Sequence, residues 1–334
     1  MKKVHPFQHY SSQLSAKLSL SKKQKDPALW LYKNNVRTEA FMLESLYRLF
    51  EKGIDANFKD GNKAFKKLED VLGQIDFYDV FYKDFKTNKK ISADVKAYIL
   101  KKKNKSQEKF KKLLMKKGGL ENRLKQFDQL IIDKKIDFDQ AIIKKIEVAL
   151  EKEIIVIKEF VKATNGTFTS VEEELHELRR KLRWISIYGQ SLQGIIKLEG
   201  DGKKDVWEKK YISKKIVNLS FNKLPLNDFP AHVMYRKNNF YALSWLIFEL
   251  GILKDTGFRL EFLAKVIRKV EHLDSAAAMK KAELALSVKE NEVALLKHAS
   301  RIVDEFLNKD KVLDGLILKS PAKKVVSKSK KRKV

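Results

Sequence analysis

Helical periodicity is the dominant constraint on this chain, and little interrupts it. Apolar residues recur three and four positions apart through Leu43, Leu46, Tyr47 and Phe50, and again through Leu175, Leu178, Leu182 and Ile185. That spacing lays an apolar stripe along one face of a helix. Only 13 glycines and 5 prolines occur in 334 residues, so long helices joined by short loops are expected. Asp26-Pro27 supplies an N-cap and first-turn proline for a helix running to Gly53, and a shorter helix over 60–72 stops at Gly73. Ser92 caps a helix reaching Gly118-Gly119, and Asp137 caps an isoleucine-rich one ending near Asn165-Gly166. Ser170 and Glu173 form a capping box. Later helices are expected over 228–250, 256–273 and 276–308. "KYISKKIVNLSF" (210–221) alone has strand-like alternation, and the expected class is all-α.

Charge narrows the partners. Lysine and arginine number 71 against 43 acids, a formal net charge of +28. A field of that strength draws polyanions, whether nucleic acid, anionic lipid or inorganic polyphosphate. The last stretch, "SPAKKVVSKSKKRKV", holds basic residues and no acid and reads as a disordered interaction tail. Taking it and Lys319 away still leaves about +20 on the remainder. The chain has no cysteine, which excludes disulfides, thiolate nucleophiles and Cys-ligated zinc. The first residues lack the apolar core of a signal peptide, and no run approaches the roughly 20 apolar residues of a membrane span. A cytoplasmic location is expected.

The most specific basic feature is "ELHELRRKLRW" (174–184). At 100° per residue, Arg179, Arg180 and Arg183 fall within about 60° of His176, opposite the leucines. Like charges one turn apart repel, and only Glu177 offers a nearby counter-charge. Such a stripe is solvated, paired with acids from a neighbouring helix, or built to meet an anion. Guanidinium suits phosphate because its fork presents paired donors, and His176 adds a neutral or charged donor.

Other basic stretches are less particular. "LKKKNKSQEKFKKLLMKKGG" (100–119) sets nine lysines against Glu108, either a solubilising face or a funnel for a long anion. Arg236 and Lys237 stand beside aromatic residues in "VMYRKNNFYALSW" (233–245), and "RLEFLAKVIRKVEH" (259–272) adds Arg259, Lys265, Arg268 and Lys269. Asp76 and Asp79 are spaced to share a cation, but Asp79 is equally suited to cap the next helix or pair with lysine. The histidines are scattered, and no Gly-rich phosphate loop or nucleophile elbow is present. No catalytic residue, metal site or cofactor is expected.

The chain also repeats itself. "NNVRTEAFMLESLYRLF" (34–50) is followed by "LEDVLGQIDFYDVF" (68–81), and "HELRRKLRWISIYGQSL" (176–192) by "FELGILKDTGFRLEFL" (248–263). Each half has an arginine helix and then a Leu-Gly with an acid shortly after. This pattern resembles the CHAD family, the conserved histidine α-helical domain. On that resemblance His176, Arg179 and Arg183 fall on the family's histidine helix, and Leu250-Gly251 with Lys254-Asp255 on its Leu-Gly turn. In the first half Arg37 and Leu72-Gly73 match. Asn34 replaces the histidine, Phe41, Met42 and Glu44 replace the following arginines, and Asp76 replaces a basic residue.

The resemblance implies two antiparallel four-helix bundles related by a pseudo-twofold axis, with a basic groove or cavity between them. Their expected extents are 1–165 and 166–316, followed by the tail at 317–334. It also implies non-catalytic binding of inorganic polyphosphate, often at intracellular granules. The expected phosphate-binding residues are His176, Arg179, Arg180, Arg183, Arg37, Lys254, Arg236 and Lys237. A basic architectural protein that holds nucleic acid through its lysine-rich tail is the alternative, and a metal-dependent phosphate-ester enzyme a more distant one.

Overall fold

The protein is described by a computed structural model covering residues 5–116, 119–200, 202, 204–287 and 292–318. The described residues are mostly helical, as expected. In chain order the helices are α1 (Pro6–Ser21), α2 (Pro27–Lys33), α3 (Val36–Gly53), α4 (Lys59–Phe85), α5 (Ala93–Leu114), α6 (Leu120–Asp133) and α7 (Gln140–Ala163). Then come α8 (His176–Ser191), α9 (Glu208–Tyr211), α10 (Lys214–Val217), α11 (Lys237–Glu271), α12 (Ser275–Leu286) and α13 (Glu292–Asp304). Three short strands, β1 (Ile196–Glu199), β2 (Val233–Arg236) and β3 (Ile317–Leu318), form one sheet in that order, with β1 parallel and β3 antiparallel to β2.

Several boundaries differ from expectation for identifiable reasons. The single helix expected from Asp26 to Gly53 is two. Asp26 does cap the first, accepting from the Leu29 amide at 3.0 Å. Asn35, however, takes a left-handed conformation (φ 55°) that stops it, a backbone state asparagine tolerates better than most residues. Asp139, not Asp137, caps α7, accepting from the Ile142 amide at 2.8 Å. Ser170 accepts from the Glu173 amide at 3.1 Å as a capping box requires. The reciprocal carboxylate is instead that of Glu174, which accepts from the Ser170 amide, because Val171–Leu175 winds as a π-turn.

The segment 210–221 contains no strand. Tyr211 ends α9, and Ser213 caps α10 through the Ile216 amide. Ile317 and Leu318, expected in the tail, pair with Tyr235 and Met234. The rest of the expected tail lies outside the described residues.

Neither Leu-Gly is a turn. α4 runs through Gly73 and α11 runs unbroken for 35 residues through Gly251. Glycine inside a helix costs about 1 kcal/mol relative to alanine, so these two positions need another reason. At Gly73 an added Cβ would come within 2.9 Å of the Arg37 guanidinium, and at Gly251 within 3.0 Å of the Arg179 guanidinium. Each glycine is a notch in a long helix that seats an arginine from an earlier one, α3 for Gly73 and α8 for Gly251.

The main core is continuous across residue 165. It joins Phe7, Leu46, Phe50 and Phe65 to Leu178, Leu182, Tyr188, Leu246 and Phe306, all nearly inaccessible. Each large side chain buried this way contributes on the order of 1.5–3 kcal/mol. A second cluster sits where the α4–α5 and α11–α12 hairpins meet, with Phe81 stacked on Phe262 at 4.4 Å. Arg259 bridges it to both oxygens of Asp84, at 2.7 and 3.0 Å. Helices from both halves thereby share this cluster as well as the main core.

Candidate functional site

α8 folds as its spacing dictates. Leu175, Leu178, Leu182 and Ile185 are fully buried. The opposite face turns His176, Arg179 and Arg183 into a cleft of about 760 Å3 between α3, α4 and α8, closed on one side by Ile247 of α11 and by Phe221. Arg37 enters the same cleft from α3.

The two central guanidiniums are held without an ion-pair partner among the described residues, Asp255 acting on Arg179 and Glu69 on Arg183 only at longer range. Arg179 is seated in the Gly251 notch and donates from Nε to the Ile247 carbonyl at 3.1 Å. The missing side chain at 251 leaves that carbonyl within reach. The Arg183 guanidinium lies 5.6 Å from the centre of the Phe41 ring, a cation–π contact worth about 0.5–2 kcal/mol. Neither makes an ion pair among the described residues. Burial lowers the pKa of both. Arg179 is brought to about 10, with Arg183 adding to the shift, and Arg183 is lowered further by Arg37.

His176 is in the same field. Burial, then Lys254, Arg179 and Arg180, push its pKa down to about 4, so the ring is neutral at pH 7. Its edge meets Phe258 at 5.2 Å, and Nδ1 has no hydrogen-bond partner among the described residues. Burial first, and then this repulsion, disfavour at neutral pH the charged-donor role left open by the sequence.

Acids from α3 and α4 share this cleft with the arginines. Arg37 is neutralised by Glu69, which accepts from Nε at 3.0 Å, and by Asp76, which accepts from Nη1 at 2.6 Å. Asp76 thus takes up a cation rather than offering one. Lys66 is held by Asp70 at 2.9 Å. Arg180 stands exposed at the rim, paired with Glu177 at 2.7 Å. Glu44 lines the cleft as well.

Three expected contacts lie elsewhere. Lys254 pairs with Asp255 and sits 5.1 Å over Phe258, beside His176 but outside the cleft lining. Arg236 ends β2 and pairs with Asp205 at 2.8 Å. Lys237 is exposed and lies 5.9 Å from the centre of the Tyr241 ring. Neither of the last two joins the cleft. Lys237 precedes Ile247 by ten residues, about 15 Å along α11.

The sequence reading missed Arg48. It faces Trp184 at 4.8 Å and donates to the Tyr188 hydroxyl at 2.6 Å and to Glu153 at 3.0 Å. With Phe41 and Trp184 5.3 Å apart, Arg183, Phe41, Trp184 and Arg48 form a layered stack joining α3 to α8. Residues 37, 41, 44 and 48 share one helical stripe, so period alone could have pointed to Arg48.

Among the described residues no group of three or more His, Asp or Glu is placed to hold a metal. The Asp76–Asp79 pair is divided between Arg37 and the lysines Lys83 and Lys103. No helix of the described residues is long and apolar enough to cross a membrane. Compared with known proteins, no family model, curated sequence or solved structure matches the chain.

Proposed function

We propose that the cleft binds phosphate groups of an inorganic polyphosphate chain without cleaving it, in the manner the CHAD resemblance implies. The observation that carries this reading is the Arg179–Arg183 pair, two half-buried guanidiniums that repel each other and make no ion pair among the described residues. Desolvated like charges of this kind are costly unless something neutralises them. A phosphate chain does so with oxygens spaced for guanidinium forks, and the neutral His176 adds a hydrogen-bonding edge. The matching seats of Arg37 on Gly73 and Arg179 on Gly251 support the proposed internal repeat. The α4 acids leave only the α8 side of the cleft free to accept anions.

Titration with polyphosphate at two salt concentrations tests the reading. Arg179→Ala with Arg183→Ala is expected to weaken binding at least tenfold while helical content is retained. Each charge-assisted contact is worth roughly 1.5–3 kcal/mol, and 1.4 kcal/mol is tenfold. An unchanged isotherm would remove the cleft from the site.

A nucleic-acid reading draws on the lysine-rich tail and also on a second basic surface. Lys101, Lys105, Lys109, Lys112 and Lys116 are all exposed along α5 and the residues just after it, a stripe about 22 Å long. Competition separates the two. Duplex DNA that displaces polyphosphate at equal phosphate concentration, and that loses its grip when residues 319–334 are deleted, favours the nucleic-acid reading.

A further inference from the structure

Glu44 is not explained by anion binding alone. It is 5 % exposed, lines the cleft, and its Oε2 has no hydrogen-bond partner among the described residues. In the pairing of Asn34 with His176 and Arg37 with Arg179 it answers to Ser186, so the first half carries an acid where the second half is neutral.

The groups around it are accounted for. From α4 come Lys66, Glu69 and Asp70, but Lys66 is held by Asp70 and Glu69 by Arg37. On α3 itself Arg48 is the nearest cation, and it is directed to Glu153 of α7 and to Tyr188 of α8. α8 also brings Arg183 into the shared cleft. α1 meets another face of α3, where Lys17 pairs with Glu39, and α2 brings Tyr32 against Asp76. Nothing among these donates to the orphaned oxygen.

We propose that Glu44 couples anion binding in the cleft to the uptake of one proton. This inference rests on the cleft being the phosphate site. Ionised, the carboxylate offers only acceptors and opposes a phosphate drawn to Arg183 and Arg179. Protonated, it loses its charge and presents one O–H donor, the group a bound anion requires. The step is an association in which a carboxylate, a solvent proton and an anion give a neutral acid beside a bound anion. Burial, reinforced by the charge of Glu69, already raises the pKa of Glu44 to about 7, so the exchange falls at physiological pH. A bound anion raises it further.

Calorimetric titration with long-chain polyphosphate, between about pH 6 and 9, tests this on the full chain and on Glu44→Gln. Internal phosphates of the probe do not titrate in that range. Wild-type affinity should fall as pH rises above 7, by up to about tenfold per pH unit, whereas Glu44→Gln should keep its low-pH affinity throughout. Repeating the wild-type titration near pH 8 in two buffers of different ionisation heat should reveal about one proton taken up per bound site. That measurement needs no substitution. Parallel pH profiles for the two proteins, or no proton uptake by the wild type, would overturn the role of Glu44 while leaving the phosphate site standing. Absence of polyphosphate binding at every pH would overturn both.

Discussion

Replacing Arg48 by methionine is expected to destabilise the protein by about 2–4 kcal/mol. Arg48 is 18 % and Glu153 5 % exposed at the side chain, so their contact is largely desolvated. Methionine keeps much of the apolar stem and so isolates the charged group. The substitution removes two donors from Glu153, at 3.0 and 3.3 Å, and one from the Tyr188 hydroxyl at 2.6 Å. Removing one partner of a buried pair costs about 3–5 kcal/mol when the other charge is left uncompensated.

Here Lys52, 2.6 Å from Glu153 and half-exposed, retains part of the compensation, which lowers the figure. Burial alone would raise the Glu153 pKa, but the charges of Arg48 and Lys52 outweigh it and hold the group below the ordinary carboxylate range. Its share of the stability is therefore present above the unfolded pKa and is lost as pH falls through the folded one. Urea unfolding at neutral pH measures the change. With a slope of about 3 kcal/mol per M, the midpoint falls by roughly 1 M. Combining Arg48→Met with Glu153→Gln should cost at least about 1 kcal/mol less than the sum of the single changes, because no charge is then stranded. A single-variant loss below about 1 kcal/mol, or strict additivity, would refute the claim that this pair joins α3 to α7.

Two further substitutions probe the special backbone positions. Gly251→Ala is expected to leave stability unchanged or raise it by up to about 1 kcal/mol through helix propensity. Its Cβ must displace the Arg179 guanidinium, so polyphosphate affinity should drop severalfold; unaltered affinity in the titration would separate the notch from the site. Asn35→Val should cost about 1–2 kcal/mol because a β-branched residue is forced into the left-handed region, while Asn35→Gly stays within about 0.5 kcal/mol. Thermal unfolding of the pair checks both, and equal midpoints would argue against the break between α2 and α3.

Period and composition determined the helical class, the apolar and cationic faces of α8, and the caps at Asp26 and Ser170. These are local properties: they depend on which residues lie one turn apart and on which side chain reaches the next free amide. The same local grammar misread Gly73 and Gly251 as helix ends. Glycine at a C-terminus and glycine making room for a neighbour are identical in sequence, and only a second helix supplying Arg37 or Arg179 tells them apart.

Charge behaved in the same way. A chain with a large positive excess could be read as a polyanion binder, yet which arginines stay unpaired depended on partners 32 and 39 residues away for Arg37 and 105 away for Arg48. Tertiary packing assigned acids to those two, left Arg179 and Arg183 facing a cleft, and buried Glu44 in the lining of that cleft without a donor among the described residues. Coulomb energy and desolvation depend on distance and burial, which no one-dimensional pattern contains.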